Sequence, residues 1–221
     1  MTAPPWRGCS PASTPGAGEV PLQSVEALVD PVTDAAVRRE WQLLAEAGLP
    51  SQASHQGDTN VPHVTLSAAV AVPAPVDDEL GPALARALGD SPVTARLGPL
   101  VVLGGARLVL ARLLVPSAGL LHLHAAVADA MAGATEVTAQ VAVGRWVPHL
   151  TLARGLGAGQ VERAVALLRE AAHADGAHDG RDARDARDAR EGAVVEVRRW
   201  DPGARRVWPV WAADGIPTMG S

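Results

Sequence analysis

The chain has 221 residues, with 19 Arg and no Lys set against 24 acidic residues, giving a formal net charge of −5 at pH 7. That length supports one substantial domain or two small lobes, and an apolar fraction of 48% excludes global disorder. Net acidity argues against an extended nucleic-acid surface while leaving room for a local arginine pocket, and a single cysteine, Cys9, excludes an internal disulfide framework.

Residues 1–23, rich in Pro and Gly, read as a disordered tail, followed by a bilobal domain over 24–213 and a short tail over 214–221. The N-terminus lacks the basic-then-apolar pattern of a secretory leader. The most apolar region, 97–121, is interrupted by Arg107, Arg112, prolines and glycines, so a membrane span is disfavoured and a cytoplasmic protein is expected. Val25, Ala27 and Val29 alternate as a first strand. Asp30 then caps a helix with Pro31 at its first position; Val37, Trp41 and Leu44 share a face, and Gly48 ends it. A polar loop over 51–60 leads to a strand over 61–72, ended by Pro73 and Pro75, after which Asp77 or Asp78 is expected to cap a helix through Leu88. Strands follow near 93–103 and 107–115, joined through Gly104-Gly105. Ser117 caps a helix to about Met131, with Leu121, His124, Ala128 and Met131 near one face. The alternation of Val137, Ala139, Val141 and Val143 predicts a strand over 137–144, and another is predicted over 146–153. Val161, Val165 and Leu168 align on a helix over 159–172. Residues 178–190 carry an Asp-Ala-Arg repeat of period three with no large apolar side chain, and read as a solvated insert. The chain closes with a hairpin turning at Asp201-Pro202-Gly203, in which Trp200 and Trp208 read as cross-strand packing. No Gly-rich phosphate loop stands at a strand-to-helix junction.

The informative feature is an internal echo. Residues 62–66 are Pro-His-Val-Thr-Leu and residues 148–152 are Pro-His-Leu-Thr-Leu, with the two histidines 86 positions apart. Strand periodicity puts His63 and Thr65 on one face of the first copy, and His149 and Thr151 on one face of the second. A single copy is adequately explained as a polar face meeting water; two separate solvent-facing strands have no reason to carry the same residue types. Two lobes packed around a pseudo-two-fold axis would turn both faces into one cleft. Two imidazoles across a phosphorus atom suit in-line phosphodiester chemistry: one takes a proton from water or a hydroxyl, the other protonates the departing sugar oxygen. The threonine hydroxyls can donate to the non-bridging oxygens, where charge grows in the transition state. This chemistry requires no metal or other cofactor. A zinc site is a poorer reading, since His122 and His124 form only a His-x-His pair that diverges on a helix, and there is no Gly-x-Ser-x-Gly elbow for a serine nucleophile. His124 reads as a core histidine and His55 as a solvated loop residue.

The two motifs, the second within Trp-Val-Pro-His-Leu-Thr-Leu-Ala-Arg at 146–154, resemble the paired motifs of the two-histidine phosphoesterase superfamily, in particular its 2'-5' RNA ligase and cyclic phosphodiesterase-like branch. The resemblance runs over roughly 24–211 and includes Leu-His-Ala-Ala-Val at 123–127 and Arg-Arg-Trp-Asp-Pro at 198–202. It implies an α+β fold of two pseudo-symmetric lobes, each an antiparallel sheet with outer helices, around a central cleft. It further implies that His63 and His149 are the acid/base pair, that Thr65 and Thr151 bind the phosphate, and that Arg154 supports it. The implied substrates are 2',3'-cyclic phosphates of nucleotides or RNA ends, or 2'-5' linkages; a monomer is expected. With no Phe or Tyr in the chain, base stacking falls to a Trp such as Trp146 or to an Arg plane. Ser67-Ala68-Ala69 after the first motif offers no counterpart of Arg154. Two other readings are carried: a non-catalytic module binding a nucleotide or RNA end in the same cleft, and an interaction protein acting through the 178–190 repeat.

Overall fold

The computed structural model describes residues 21–55, 57, 59–178 and 191–214, without side chains for 175–178. Cys9, residues 179–190 of the charged repeat, and most of both tails lie outside the described residues. Eight strands and four helices follow in the order β1 (Gln23–Val29), α1 (Pro31–Glu46), β2 (His63–Ala71), α2 (Ala74–Leu88), β3 (Val93–Gly104), β4 (Leu108–Val115), α3 (Ala118–Ala130), β5 (Thr135–Val137), β6 (His149–Leu156), α4 (Ala158–His178), β7 (Glu191–Asp201) and β8 (Arg206–Ala212).

The strands form one antiparallel ladder in the order β5-β2-β1-β7-β3-β4-β6. The two halves share a single strand, β7. Along one edge it pairs with β1 over most of its length. Along the other, residues 191–194 pair with β3 and residues 196–201 with β8. Two strands competing for successive stretches of one edge must diverge, and this splits the ladder into a β5-β2-β1 half and a β3-β4-β6 half. The expected lobes are therefore continuous through β7 and not separate sheets. Helices cover one side: α1 packs on α4 and β6, while α2 packs on α3 and β8. Val25, Ala27, Val64, Leu66, Leu110, Leu150, Leu152 and Val197 fill the core between strands and helices and are fully or almost fully buried.

Local chemistry sets most boundaries. The Asp30 carboxylate accepts the Val32 and Thr33 amides at 3.0 Å, and Pro31 opens α1 as expected. Asp30 also accepts the Ala193 amide at 2.8 Å, tying the start of α1 to β7. Gly48 follows α1 at φ 66°, a conformation that favours glycine. Ser117 caps α3 through the Leu120 amide. The final turn is fastened by Asp201 Oδ1, which accepts the amides of Gly203 and Ala204.

Two expectations are corrected. Helix α2 begins at Ala74 and not at Asp77 or Asp78: Pro75 sits in the first turn, where its missing N–H costs nothing. Asp77 instead accepts the Nε–H of the buried Arg199 at 2.9 Å. The close seat of α2 on β8 needs Gly81, where a Cβ would lie 2.8 Å from the Val210 carbonyl oxygen. The predicted strand over 137–144 does not form beyond Val137: the observed strand is β5 over Thr135–Val137, whose pairs with β2 are Ala69 with Val137 and Ala71 with Thr135. Beyond it the chain takes a 3-10 turn over Ala139–Val141 and reverses through Gly144 at φ 82°. Val143, at 65% exposure, has no face to bury against, so the apolar alternation had no ladder to join.

Burial alone would raise the Asp30 carboxyl, but the hydrogen bonds from Ala193, Thr33 and Val32 outweigh it and hold the group below its ordinary value. The stability this gives is present above the ordinary aspartate range and is lost as the pH falls through the lowered value. Asp30→Ala is expected to lower unfolding stability by about 1–2 kcal/mol at neutral pH, with the difference from wild type shrinking towards pH 3; urea denaturation at both pH values checks this.

Candidate active site

The motif strands β2 and β6 lie far apart along the ladder, yet pack against each other. The sheet therefore curls until the first-motif strand meets the last strand of the other half. Each motif strand carries a β-bulge one residue after its threonine. In β2 the register steps from Thr65 opposite Glu26 to Ser67 opposite Val25; in β6 it steps from Thr151 opposite Ala111 to Ala153 opposite Leu110. The bulged residues, Leu66 and Leu152, are wholly buried. A bulge resets the alternation of faces. Strict alternation would put Arg154 on the face opposite His149; with the bulge, its Nη2 reaches the Thr151 hydroxyl at 3.3 Å.

The two histidines are seated alike. His63 Nδ1 lies 2.8 Å from the Val61 carbonyl oxygen, and His149 Nδ1 lies 2.7 Å from that of Val147. In both copies the acceptor stands two residues back across a Val-Pro pair, where proline enforces extended backbone. A carbonyl can only accept, so Nδ1 carries the hydrogen and Nε2 is the nitrogen left for proton transfer.

Two indoles brace the strands. Trp146 Nε1 donates to the Thr65 carbonyl at 2.9 Å, and Trp41 Nε1 donates to the Thr151 carbonyl at 2.9 Å. Trp146 stacks on His124 with ring centroids 4.0 Å apart and an interplanar angle of 2°. His124 is buried, with its Nε2 2.8 Å from the Val141 carbonyl oxygen. Burial lowers its pKa, opposed by that hydrogen bond. One face and the N–H of Trp146 are thus committed to structure, the ring standing as a strut between α3 and β2. His55 is exposed.

The surroundings of the two imidazoles differ. His63 is half-buried, with its Nε2 3.7 Å from Glu26 Oε1. Glu26 is buried in β1, where Oε1 accepts the Ser24 hydroxyl at 2.8 Å and Oε2 accepts Arg198 Nε–H at 2.9 Å. Arg198 also donates to the Thr59 carbonyl at 2.9 Å, holding the chain that leads into β2. Burial would raise the Glu26 carboxyl, but His63, Arg198 and the Ser24 hydroxyl together hold it below its ordinary value. Burial pushes His149 below the usual imidazole value; the hydrogen bond to Val147 opposes this, while the positive charges of Arg154 and His63 add to it. The structure thus brings His149, Thr151 and Arg154 together on β6, within electrostatic reach of His63 on β2 beside Thr65. Glu26, Ser24 and Arg198 are neighbours that sequence reasoning missed. The available signal was a lone Glu in the otherwise apolar run Val25-Glu26-Ala27-Leu28-Val29.

An antiparallel α+β fold whose two His-x-Thr strands meet in this way is of the two-histidine phosphoesterase class. The sequence profile of the 2'-5' RNA ligase superfamily matches residues 31–179, well over half the chain, and the chain belongs to that superfamily. No curated protein matches it. Among solved structures it is similar to Kluyveromyces marxianus Usb1 at 14% identity and a TM-score of 0.45, with 86% of this chain and 97% of that chain covered. The same protein with uridine monophosphate gives 14% identity, a TM-score of 0.44 and the same coverage. Among the described residues, no helix is long and apolar enough to cross a membrane.

The shared carbonyl anchors make a spectroscopic prediction. Nitrogen-15 NMR of the neutral rings should show the Nδ1–H tautomer for both His63 and His149, although free imidazole side chains favour Nε2–H; an Nε2–H form at either position contradicts the seating described.

Proposed function

We propose that this chain is a metal-independent phosphodiesterase acting on 2',3'-cyclic phosphates of nucleotides or RNA ends, with 2'-5' ligation as the same chemistry run with a sugar hydroxyl in place of water. The observation that carries this reading is the matched pair of imidazoles, each with Nδ1 engaged by the carbonyl two residues back and Nε2 left free.

In the hydrolytic direction, one Nε2 takes a proton from water as the water oxygen bonds to phosphorus. The P–O3' bond then breaks in line, and the 3' oxygen takes its proton from the other Nε2–H, leaving a 2'-phosphomonoester. The hydroxyls of Thr65 and Thr151 are suited to donate to the non-bridging oxygens, and Arg154 adds a fixed positive charge beside Thr151. Each role falls to a side chain of the protein, so no step is routed through a metal. Arg198 is already paired with Glu26, and the chain is acidic overall, which favours a small nucleotide or an RNA terminus over extended RNA.

The test is incubation with 2',3'-cyclic mononucleotides and short cyclic-phosphate RNAs in the presence of a chelator, with product phosphate position read by phosphorus NMR. Turnover to the 2'-phosphate is expected, and His63→Ala or His149→Ala should each lower kcat/KM by about 10²–10⁴-fold. Turnover retained in the double variant overturns the residue assignment; nucleotide binding without turnover by wild type on any of these substrates, or on 2'-5' linkages, makes the chain a binding module.

A further inference from the structure

Matched registers allow the two halves of the site to be compared position by position. Thr65 stands opposite Glu26 on β1, and Thr151 stands opposite Ala111 on β4. Three residues after each threonine stand Ala68 in the first copy, paired with Ser24, and Arg154 in the second, inside a further register shift of β6 against β4. The two imidazoles therefore differ in their nearest charge: the Glu26 carboxylate, itself paired with Arg198, stands beside His63, where alanine follows the motif at position 68, and the Arg154 guanidinium stands on the strand of His149, where alanine takes the place opposite the threonine.

From this asymmetry we propose that Glu26 is a positioning residue that fixes the direction of proton flow, making His63 the proton donor and His149 the proton acceptor in hydrolysis. The inference rests on the phosphodiester reading above. The separation decides what Glu26 can do. At 3.7 Å, Oε1 is beyond hydrogen-bonding reach of His63 Nε2, so the Nε2–H stays available to a leaving oxygen. It is well within the range where a carboxylate stabilises an imidazolium. The carboxylate cannot swing in to compete with substrate, because Ser24 holds Oε1 and Arg198 holds Oε2. The other charged groups among the described residues on the strands around His63 are consistent with this. Glu26 comes from β1, Arg198 and Glu196 from β7, and His149 and Arg154 from β6; Arg198 is already paired with Glu26. Glu196 shares the His63 face, since Leu28 pairs with both, but it stands two strands away on β7, farther than Glu26 on β1; burial raises its pKa, with Arg198 opposing this. On the other side, burial lowers the pKa of His149, opposed by the Val147 hydrogen bond and helped by the cations of Arg154 and His63, in the direction of the neutral ring that a base requires.

The experiment is the pH profile of kcat/KM for a 2',3'-cyclic mononucleotide in wild type and Glu26→Gln, with both histidine rings followed by NMR over the same range. The acceptor must be neutral and sets the acidic limb; the donor must be protonated and sets the alkaline limb. Glu26→Gln should move the alkaline limb to lower pH by about one unit, leaving the acidic limb in place. It should also move the midpoint of the His63 titration in the same direction. A moved acidic limb, or two unmoved limbs, overturns the proposal. Should Arg198, left unpaired, prevent folding of the single variant, the double variant Glu26→Gln, Arg198→Gln removes both charges and should still move only the alkaline limb. If wild type turns over none of the substrates, the phosphodiester reading fails; the ring titrations still decide whether Glu26 controls the proton on His63, and an unmoved His63 midpoint overturns that as well.

Discussion

The indole of Trp146, donating to the Thr65 carbonyl at 2.9 Å, joins β2 to the segment that leads into β6, a strand with which β2 shares no ladder hydrogen bonds. β2 is flanked along part of its length only by the three-residue β5, and β6 ends the ladder, so both motif strands leave carbonyls without a strand partner. Such groups must find a donor when they are shielded from water. Trp146 supplies it at Thr65, tying β2 to the approach to β6, and Trp41 supplies it at Thr151, tying α1 to β6. His124 then fixes Trp146 by stacking on it and engages the Val141 carbonyl of the segment leading to β6. A core contact on the α3 side thereby braces the approach to β6 against β2.

The bulges convert that geometry into chemistry. Without an extra residue after Thr151, Arg154 would face the helix layer, where Leu152 and Ala153 are wholly buried, and would not reach the Thr151 hydroxyl. The buried Glu26–Arg198 pair is a second unusual use of the fold. Removing two charges from water is costly, and apolar residues of the same volume at those positions would often give equal or greater stability. The pair is accounted for by what Glu26 faces at 3.7 Å and by the Arg198 contact that holds Thr59 ahead of β2.

Much of this was legible in the sequence, and the failures have definite physical causes. The His-x-Thr echo was readable because both copies follow the same period-two pattern after a Val-Pro pair, and local caps such as Asp30 and Ser117 announced their helices. The start of α2 was misplaced because Pro73 and Pro75 were read as breakers, when proline is tolerated in a first turn. The apolar alternation over 137–144 has the strand period, but whether it pairs depends on a neighbouring edge that sequence does not display. Glu26 and Arg198 are separated by 172 positions, and only the antiparallel register of β1 with β7 sets them side by side. Arg154 was named through resemblance; spacing alone puts it on the wrong face, since the bulge lies in the pairing of β6 with β4.

At the centre of the account stands one claim: that both imidazoles address a single phosphate. Titration of the protein with a 2'-phosphorylated mononucleotide, followed through the Nε2 resonances of His63 and His149 together, tests it most directly. The account predicts that both resonances move along one saturation curve at a stoichiometry of one ligand per chain. Movement of only one ring, or two curves with separate affinities, would show that the two strands do not share a site.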